Sequence, residues 1–470
     1  MEFVTENKAI FQGLRAQYPE FRYRKYSWRR EDALLVLSFT YELAPGDSIT
    51  TSIELSLPEG VLDETIRVHE DYIFRIGLAE AISYWKAHCS PVVHIDCGEL
   101  SPAELSWWSD TWYDGMGEFR YRNGLLDVSK EDWVRFADND SGTHARSSFS
   151  VRSPAPLSGN LIAFTGGKDS TLALAMLNDS ALGPNETFFI QTLAPSREKI
   201  FDVLGVDYPE TVIKRTVHPR LLELNASGAL NGHTPFSIIV AFLGVFTASL
   251  RGLKYVIVAN EQSSNQPTVP GTQINHQYSK SIVFEKRFQE YSKMVWPHGP
   301  LYFSLLRPFS EIGVAFMLKQ YERAMPYISS CNVKDKTGLW CGKCAKCLFS
   351  FLLFSATWDV VFATKMFGVN MLDHAEHLEL LNELTGIAAT RPFECVGTTQ
   401  ETLAILARIF FASRESRHSP LLKDFWEQHQ DMLFTPTFFA SLACEFHEHA
   451  IPEESFVHLL KHVQDESIYG

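Results

Sequence analysis

Six residues constrain this chain more than any other stretch. They are Thr165-Gly166-Gly167-Lys168-Asp169-Ser170, set between the apolar run Leu161 to Phe164 and the helical pattern Thr171 to Leu177. An apolar run that meets two glycines and then turns helical reads as strand, sharp turn, helix. The first amides of that helix point at whatever lies above the turn, and the helix dipole favours an anion there. Ser170 adds a hydroxyl donor and Lys168 a positive charge. Asp169 would repel a bare phosphate, so its natural task is to hold Mg²⁺ against one. The spacing is neither GxxxxGK[ST] nor GxGxxG, which counts against kinase-type and dinucleotide readings. The plain alternative is a polar turn capped by Asp169 or Ser170.

The surrounding pattern supports a layered fold. Further apolar strands are predicted at Thr187 to Thr192, Thr211 to Val217 and Lys254 to Ala259, with helices at Ser196 to Leu204 and Pro235 to Leu250. Strands that alternate with helices predict a parallel sheet with helices on both faces. Ahead of it, residues 33–57 read as a hairpin, because Leu35, Leu37, Phe39, Tyr41 and Leu43 alternate with smaller or more polar neighbours, as do Ile53, Leu55 and Leu57. A helix around Phe74 to Trp85 and a strand at Val92 to Ile95 follow. Trp107, Trp108, Trp112 and Tyr113 read as core. Asp138 to Gly159 reads as a linker. Past Cys347 the pattern is helical, with breaks near Gly386 to Pro392 and at Pro420. A length of 470 residues suits two or three domains. We place them at 1–150 (α+β), 158–355 (the sheet with the glycine turn) and 356–470 (helical).

Charge and hydropathy exclude several functions. Lys and Arg total 42 against 56 Asp and Glu, a net −14, so a diffuse grip on nucleic acid or an anionic membrane is not expected. No apolar run reaches the ~20 residues that span a bilayer, and the N-terminus has no signal-peptide core. The expectation is a cytoplasmic protein; the pattern sets no oligomeric state.

Eight cysteines in so long a chain are not a disulfide framework, yet Cys331, Cys341, Cys344 and Cys347 crowd together as C-x9-C-x2-C-x2-C. Thiolates two residues apart reach one ion from a tight turn, and a fourth closes a tetrahedron, which fits a structural Zn²⁺. Four cysteines also suit an iron–sulfur cluster, the less favoured choice. Cys89, Cys97, Cys395 and Cys444 are isolated and read individually as core residues.

Several polar segments are too rich in chemistry for ordinary loops. Asn231 to Pro235 places His233 before a long apolar helix, where the dipole favours a neutral imidazole. Asn260 and Glu261 follow a strand, where parallel sheets bind ligands. His276, Lys280 and Glu285 come next, then Arg307. Lys280 and Arg307 are candidate anion clamps. For proton transfer, His233, His276, Glu285 and Cys395 compete. Thr398 or Thr399 reads as a helix cap with Glu401 in the first turn.

TGGKDS resembles the SGGxDS pyrophosphate loop of the N-type ATP pyrophosphatases, with Thr165 where the first Ser usually stands. That resemblance implies the PP-loop (adenine nucleotide alpha hydrolase-like) α/β fold, a parallel sheet with helices on both faces. It also implies ATP cleavage between the α and β phosphates, with Thr165, Gly166, Gly167, Lys168, Asp169 and Ser170 on ATP and Mg²⁺. The cysteine arrangement is similar to that of the deazaguanine nitrile synthases. The order NGHTPFS, ANEQSSN, NHQYSKS, LRPFSE, cysteine cluster, PFECVGT, with GEFRYRNGL at 117–125, resembles the ATP-dependent UDP-N-acetylmuramoyl-L-alanyl-L-glutamate epimerase (MurL) family over nearly the whole chain. This implies an isomerase of peptidoglycan precursor synthesis acting on the terminal glutamate of UDP-MurNAc-L-Ala-L-Glu. For that chemistry the residues themselves offer Asp169, Lys168, His233, Glu285, Lys280 and Cys395 as catalytic candidates, and Asn260, Glu261, His276, Lys280 and Arg307 as candidate substrate contacts. Rival readings are an amide- or nitrile-forming ligase like 7-cyano-7-deazaguanine synthase, and a nucleotide-binding module without catalysis. A tRNA thiolase is disfavoured by the net charge.

Overall fold

Alternating apolar residues make strands, and the computed structural model has ten of them in one mixed sheet. It describes residues 2–57, 60–137, 156–191, 194–208, 211–276, 278–429, 436–447 and 451–469. The strands are β1 (Glu20–Glu31), β2 (Leu34–Ala44), β3 (Asp47–Ser56), β4 (Val92–Ile95), β5 (Arg135–Phe136), β6 (Asn160–Ala163), β7 (Asn185–Ile190), β8 (Thr211–Thr216), β9 (Tyr255–Val258) and β10 (Leu301–Ser304). Their order is β10-β9-β6-β7-β8-β3-β2-β1-β4-β5.

The predicted hairpin is β2–β3, and the strands with the glycine turn form a parallel block from β10 to β8. The expected parallel sheet is corrected in one respect. At β8 the block continues into the N-terminal part, because β3 pairs antiparallel with it, Ile53 opposite Arg215 and Leu55 opposite Ile213. Arg215 reaches from that seam to Glu80, whose side chain is fully buried, at 2.8 Å. Thr51 Oγ1 donates to Thr216 O at 2.6 Å, adding a side-chain tie beside the ladder. Most of the proposed linker, residues 138–155, lies outside the described residues, as does Thr192.

Side chains alternate across a strand, so consecutive residues feed opposite cores. Leu161, Phe188 and Val256 join one apolar cluster, and their neighbours Ile162, Phe189 and Ile257 join the other. The first core contains Trp108 and Trp112, both fully buried as expected, together with Phe242 from the helix Phe236–Arg251. The second lies under the helices Lys168–Asn178, Glu311–Leu318, Ala345–Thr357 and Thr399–Ala412. Downstream of β10 the described residues contain no strand. Among the described residues no helix is long and apolar enough to cross a membrane.

The parallel block fixes where a ligand fits. From β6 the chain steps outward through β7 and β8, then returns to β9 on the other side of β6. Loops leaving β6 and β9 therefore part in opposite directions and open a crevice at the carboxyl ends of the strands.

Candidate active site

The crevice holds a cavity of about 310 Å³, lined by the glycine turn, Asn260, Glu261, Lys280, Glu311 and Cys395 among others. Gly166 takes φ +72°, and a Cβ there would lie 2.3 Å from Arg197 Cδ, so only glycine fits. Gly167 caps the helix Lys168–Asn178 without a side-chain bond, which leaves the first amides to a ligand. Thr165 N–H donates to Ser170 Oγ at 3.2 Å and the two hydroxyls lie 3.1 Å apart, so the turn is braced from within. Ser329 N–H donates to Gly166 O at 3.1 Å, joining a distant loop to the turn.

Carboxylates crowd one end of the cavity. Lys168, 7% exposed, pairs with Asp169 at 2.5 Å and with Glu311, itself 4% exposed. Burial opposes the charge on Lys168, but Asp169, Glu311 and Glu261 outweigh it and raise its pKa. Glu311 moves well above the ordinary carboxylate range through burial, with Glu261, Asp169 and Glu401 adding to the rise against Lys168. Burial also works against charge on Glu261, yet Lys168 and Lys280 prevail and hold its pKa down. The carboxyl surplus and its oxygen donors suit a divalent cation such as Mg²⁺, with Asp169 and Glu261 as the residues to hold it.

Facing them, Lys280 Nζ lies 3.5 Å from Cys395 Sγ. Burial lowers and Cys395 with Glu261 raises the Lys280 pKa, for a net rise. Asn260 also lines the cavity and donates from Nδ2 to Ser304 Oγ at 2.9 Å.

Two expected site residues are placed elsewhere. Arg307 and Glu285, each with 2% of its side chain exposed, bind each other at 3.0 Å. Arg307 also donates to Glu261 O at 2.9 Å, Ser264 Oγ at 2.6 Å and Lys280 O at 2.6 Å. It fastens the segments that carry Glu261 and Lys280, and with both terminal nitrogens occupied it has no guanidinium fork open to a substrate anion. Glu285 accepts in addition from Ser304 N–H at 3.1 Å, which ties it to β10 rather than to the cavity.

His233 and His276 form a separate cluster, their rings 4.8 Å apart. Glu118 Oε2 lies 2.7 Å from His276 Nδ1, and Arg122 Nε donates to Glu118 Oε1 at 2.6 Å. Burial, then the neighbouring His276, pushes the His233 pKa down to about 4, consistent with the neutral imidazole expected near a helix start.

Each sulfur of Cys331, Cys341, Cys344 and Cys347 lies within 4.8 Å of the others, and Cys341 and Cys347 are 3.6 Å apart. Zinc–sulfur bonds of about 2.3 Å put tetrahedral sulfurs about 3.8 Å apart, so the set fits a structural zinc. Backbone amides of Lys334 and Lys343 already point at Cys331 and Cys341, both at 3.4 Å. Cys344 is the N-cap of the helix Ala345–Thr357, and Glu394 accepts from Lys346 N–H at 2.9 Å beside Cys395. The cysteine loop is thus joined to the turn that brings Cys395 to the cavity. Of the isolated cysteines, Cys89 is buried as expected, whereas Cys444 is exposed and is no core residue.

A family model described as the MurL N-terminal domain matches residues 13–305, and one described as the MurL C-terminal domain matches residues 327–435. The chain belongs to the MurL family. The first MurL match contains every strand from β1 to β10, and the second contains the four cysteines and Cys395. Three similar proteins bear the name UDP-N-acetyl-alpha-D-muramoyl-L-alanyl-L-glutamate epimerase. That of Xanthomonas oryzae pv. oryzae is 28% identical, across 89% of this chain and 91% of its own. Those of Salinispora tropica and a Micromonospora species are 28% and 29% identical, each across 81% of this chain and 85% and 87% of theirs. No solved structure gives a significant match.

Sequence reasoning missed Glu311, Arg197 and Glu118. Glu311 follows the N-cap Ser310 and looks, in sequence, like an ordinary first-turn acid. Arg197, which lines the cavity beside Gly166, carries no local signal. Glu118 lies in GEFRYRNGL, a segment singled out without a role for that residue.

Proposed function

We propose that this chain inverts the terminal glutamate of UDP-MurNAc-L-Ala-L-Glu from L to D, using ATP and releasing AMP and diphosphate. One observation carries the reading: a single cavity places an uncapped glycine turn and a carboxylate cluster opposite a lysine–cysteine pair. The likeness to epimerases over most of the chain supplies the substrate class.

The α-proton of a carboxylate is weakly acidic because its loss builds a second negative charge beside the first. Attack of the substrate's α-carboxylate oxygen on the α-phosphorus of ATP expels diphosphate and removes that charge. The glycine turn holds the phosphates through its open amides, and Lys168 offsets their charge. Asp169 and Glu261 would hold Mg²⁺, which when bound neutralises phosphate charge. Cys395 Sγ, 3.5 Å from the Lys280 ammonium, is the base that takes the Cα proton. A solvent-derived proton delivered to the opposite face of Cα inverts the centre, and water cleaves the mixed anhydride to leave the precursor with a terminal D-glutamate and to release AMP. The three-part division at 1–150, 158–355 and 356–470, the pyrophosphatase ancestry of the parallel block and a cytoplasmic setting belong to the same reading.

The test is turnover of ATP with UDP-MurNAc-L-Ala-L-Glu in D₂O, with the product glutamate analysed for configuration and label. Diphosphate release coupled to D-glutamate carrying deuterium at Cα supports the proposal. Release that requires ammonia, with no inversion, replaces it with the ligase reading. ATP binding without release leaves a nucleotide-binding module. The variant Cys395→Ala is expected to release diphosphate yet lose inversion and Cα exchange; loss of diphosphate release alone would remove Cys395 from proton transfer.

A further inference from the structure

Three segments far apart in sequence, each chemically unusual, meet outside the cavity lining. Glu118 comes from the short helix Gly117–Arg122, His233 from the loop ahead of the helix Phe236–Arg251, and His276 from the loop ahead of Lys280. One ligand atom from each lies within 4.8 Å of the other two. We propose that Glu118, His233 and His276 bind a divalent transition-metal ion, at a site separate from the four cysteines and from the carboxylates around Lys168.

The donor set argues for this chemistry. Two imidazoles and one carboxylate match borderline ions such as Zn²⁺ or Co²⁺, whereas Mg²⁺ and Ca²⁺ prefer oxygen alone. Bonds of about 2.0–2.2 Å put tetrahedral ligands about 3.4 Å apart, so side-chain adjustments without backbone movement close the set. His276 and Glu118, now at 2.7 Å, would separate slightly to admit the ion.

Two independent observations point to a missing ligand. His233 Nε2 is buried with no hydrogen-bond partner among the described residues, an unfavourable state for a polar atom that a bound ion would relieve. The supporting shell is also already built. Arg122 holds Glu118 Oε1, which leaves Oε2 to an ion. Thr268 Oγ1 accepts from His276 N–H at 2.9 Å. Asn123 Nδ2 donates to Asn231 O at 3.2 Å and Lys86 Nζ to Gly232 O at 3.1 Å, fastening the loop of His233. Three protein ligands leave a coordination position open, unlike the closed four-cysteine set.

The test is Co²⁺ titration of the metal-stripped full chain, read by visible and near-ultraviolet absorption and by metal content. Thiolate ligation gives a near-ultraviolet charge-transfer band that nitrogen and oxygen ligands lack. The expected result is two equivalents, one with that band and one with weak visible bands only. His233→Ala and His276→Ala should each weaken the second equivalent by about tenfold to a hundredfold or more while leaving the thiolate band intact. A single equivalent with thiolate character in the unmodified chain would overturn the proposal, as would a second equivalent indifferent to both substitutions. Circular dichroism of the variants separates lost binding from lost fold. This readout does not depend on epimerase activity, so its failure and that of the proposed function are distinct.

Discussion

Replacing Arg307 by Met separates two roles for one residue, because a clamp for substrate and a fastener for the fold fail differently. The guanidinium is 2% exposed and makes bonds to Glu261 O, Ser264 Oγ, Lys280 O, Glu285 Oε2 and Ser304 Oγ. Removing it leaves the Glu285 carboxylate buried without its cation, a change that costs about 3–5 kcal/mol. Replacing Glu285 by Leu as well removes the stranded charge. The carbonyls of Glu261 and Lys280, which Ser264 Oγ also approaches, still lose one donor each, at about 1 kcal/mol apiece. The double variant should therefore be more stable than Arg307→Met alone by about 1–3 kcal/mol, so that the coupling in a double-mutant cycle with Glu285→Leu is at least about that large. Urea unfolding of the full chain, followed by tryptophan fluorescence, measures this at the transition midpoints. If Arg307→Met unfolds at the unmodified midpoint while KM for substrate rises, the residue is a clamp and the fastening argument is refuted. Strict additivity would refute the pairing of the two charges.

Other perturbations test neighbouring parts. Asp169→Asn is expected to lower diphosphate release by about two to three orders of magnitude while circular dichroism stays unchanged, since the fold keeps its side-chain volume. Gly166→Ala forces a Cβ into the left-handed region and onto Arg197, so it should destabilise by at least about 1–2 kcal/mol in urea unfolding and impair ATP binding. Lys86 is buried, and desolvation lowers its pKa to about 8 from 10.5. The native state therefore disfavours its charge, and relative to Lys86→Met the chain should gain stability as pH rises from about 8 to 10.5, by roughly 3 kcal/mol at most. Unfolding midpoints measured across that range check the sign. Cys347→Ser should lower the zinc content by about one equivalent per chain and loosen the helix Ala345–Thr357, which metal analysis and hydrogen exchange would detect.

What the sequence determined by itself was local. Strand, glycine turn and helix around Thr165 to Ser170 follow from a few consecutive residues, because an apolar run, two glycines and a helical pattern act on the adjoining backbone, whereas the helix start without a side-chain cap is seen only in the structure. The β2–β3 hairpin and the cysteine set are legible for the same reason: alternation sets a strand face, and C-x2-C-x2-C sets the reach of three thiols to one ion. The capping box of Thr398 and Glu401 likewise needs only a spacing of three. Beyond local reach the sequence is silent. Arg307 and Glu285 both look like site residues until the fold brings them together at 3.0 Å, where burial makes each the countercharge that the other needs. Glu311 looks like a helix-start acid until the helix Glu311–Leu318 is placed beside the glycine turn and Lys168. The antiparallel pairing of β3 with β8 depends on two segments more than 150 residues apart meeting edge to edge, which no periodicity within either encodes. The charge carried by each side chain was written in the sequence; which opposite charge it faces, and in how little water, was decided by the tertiary structure alone.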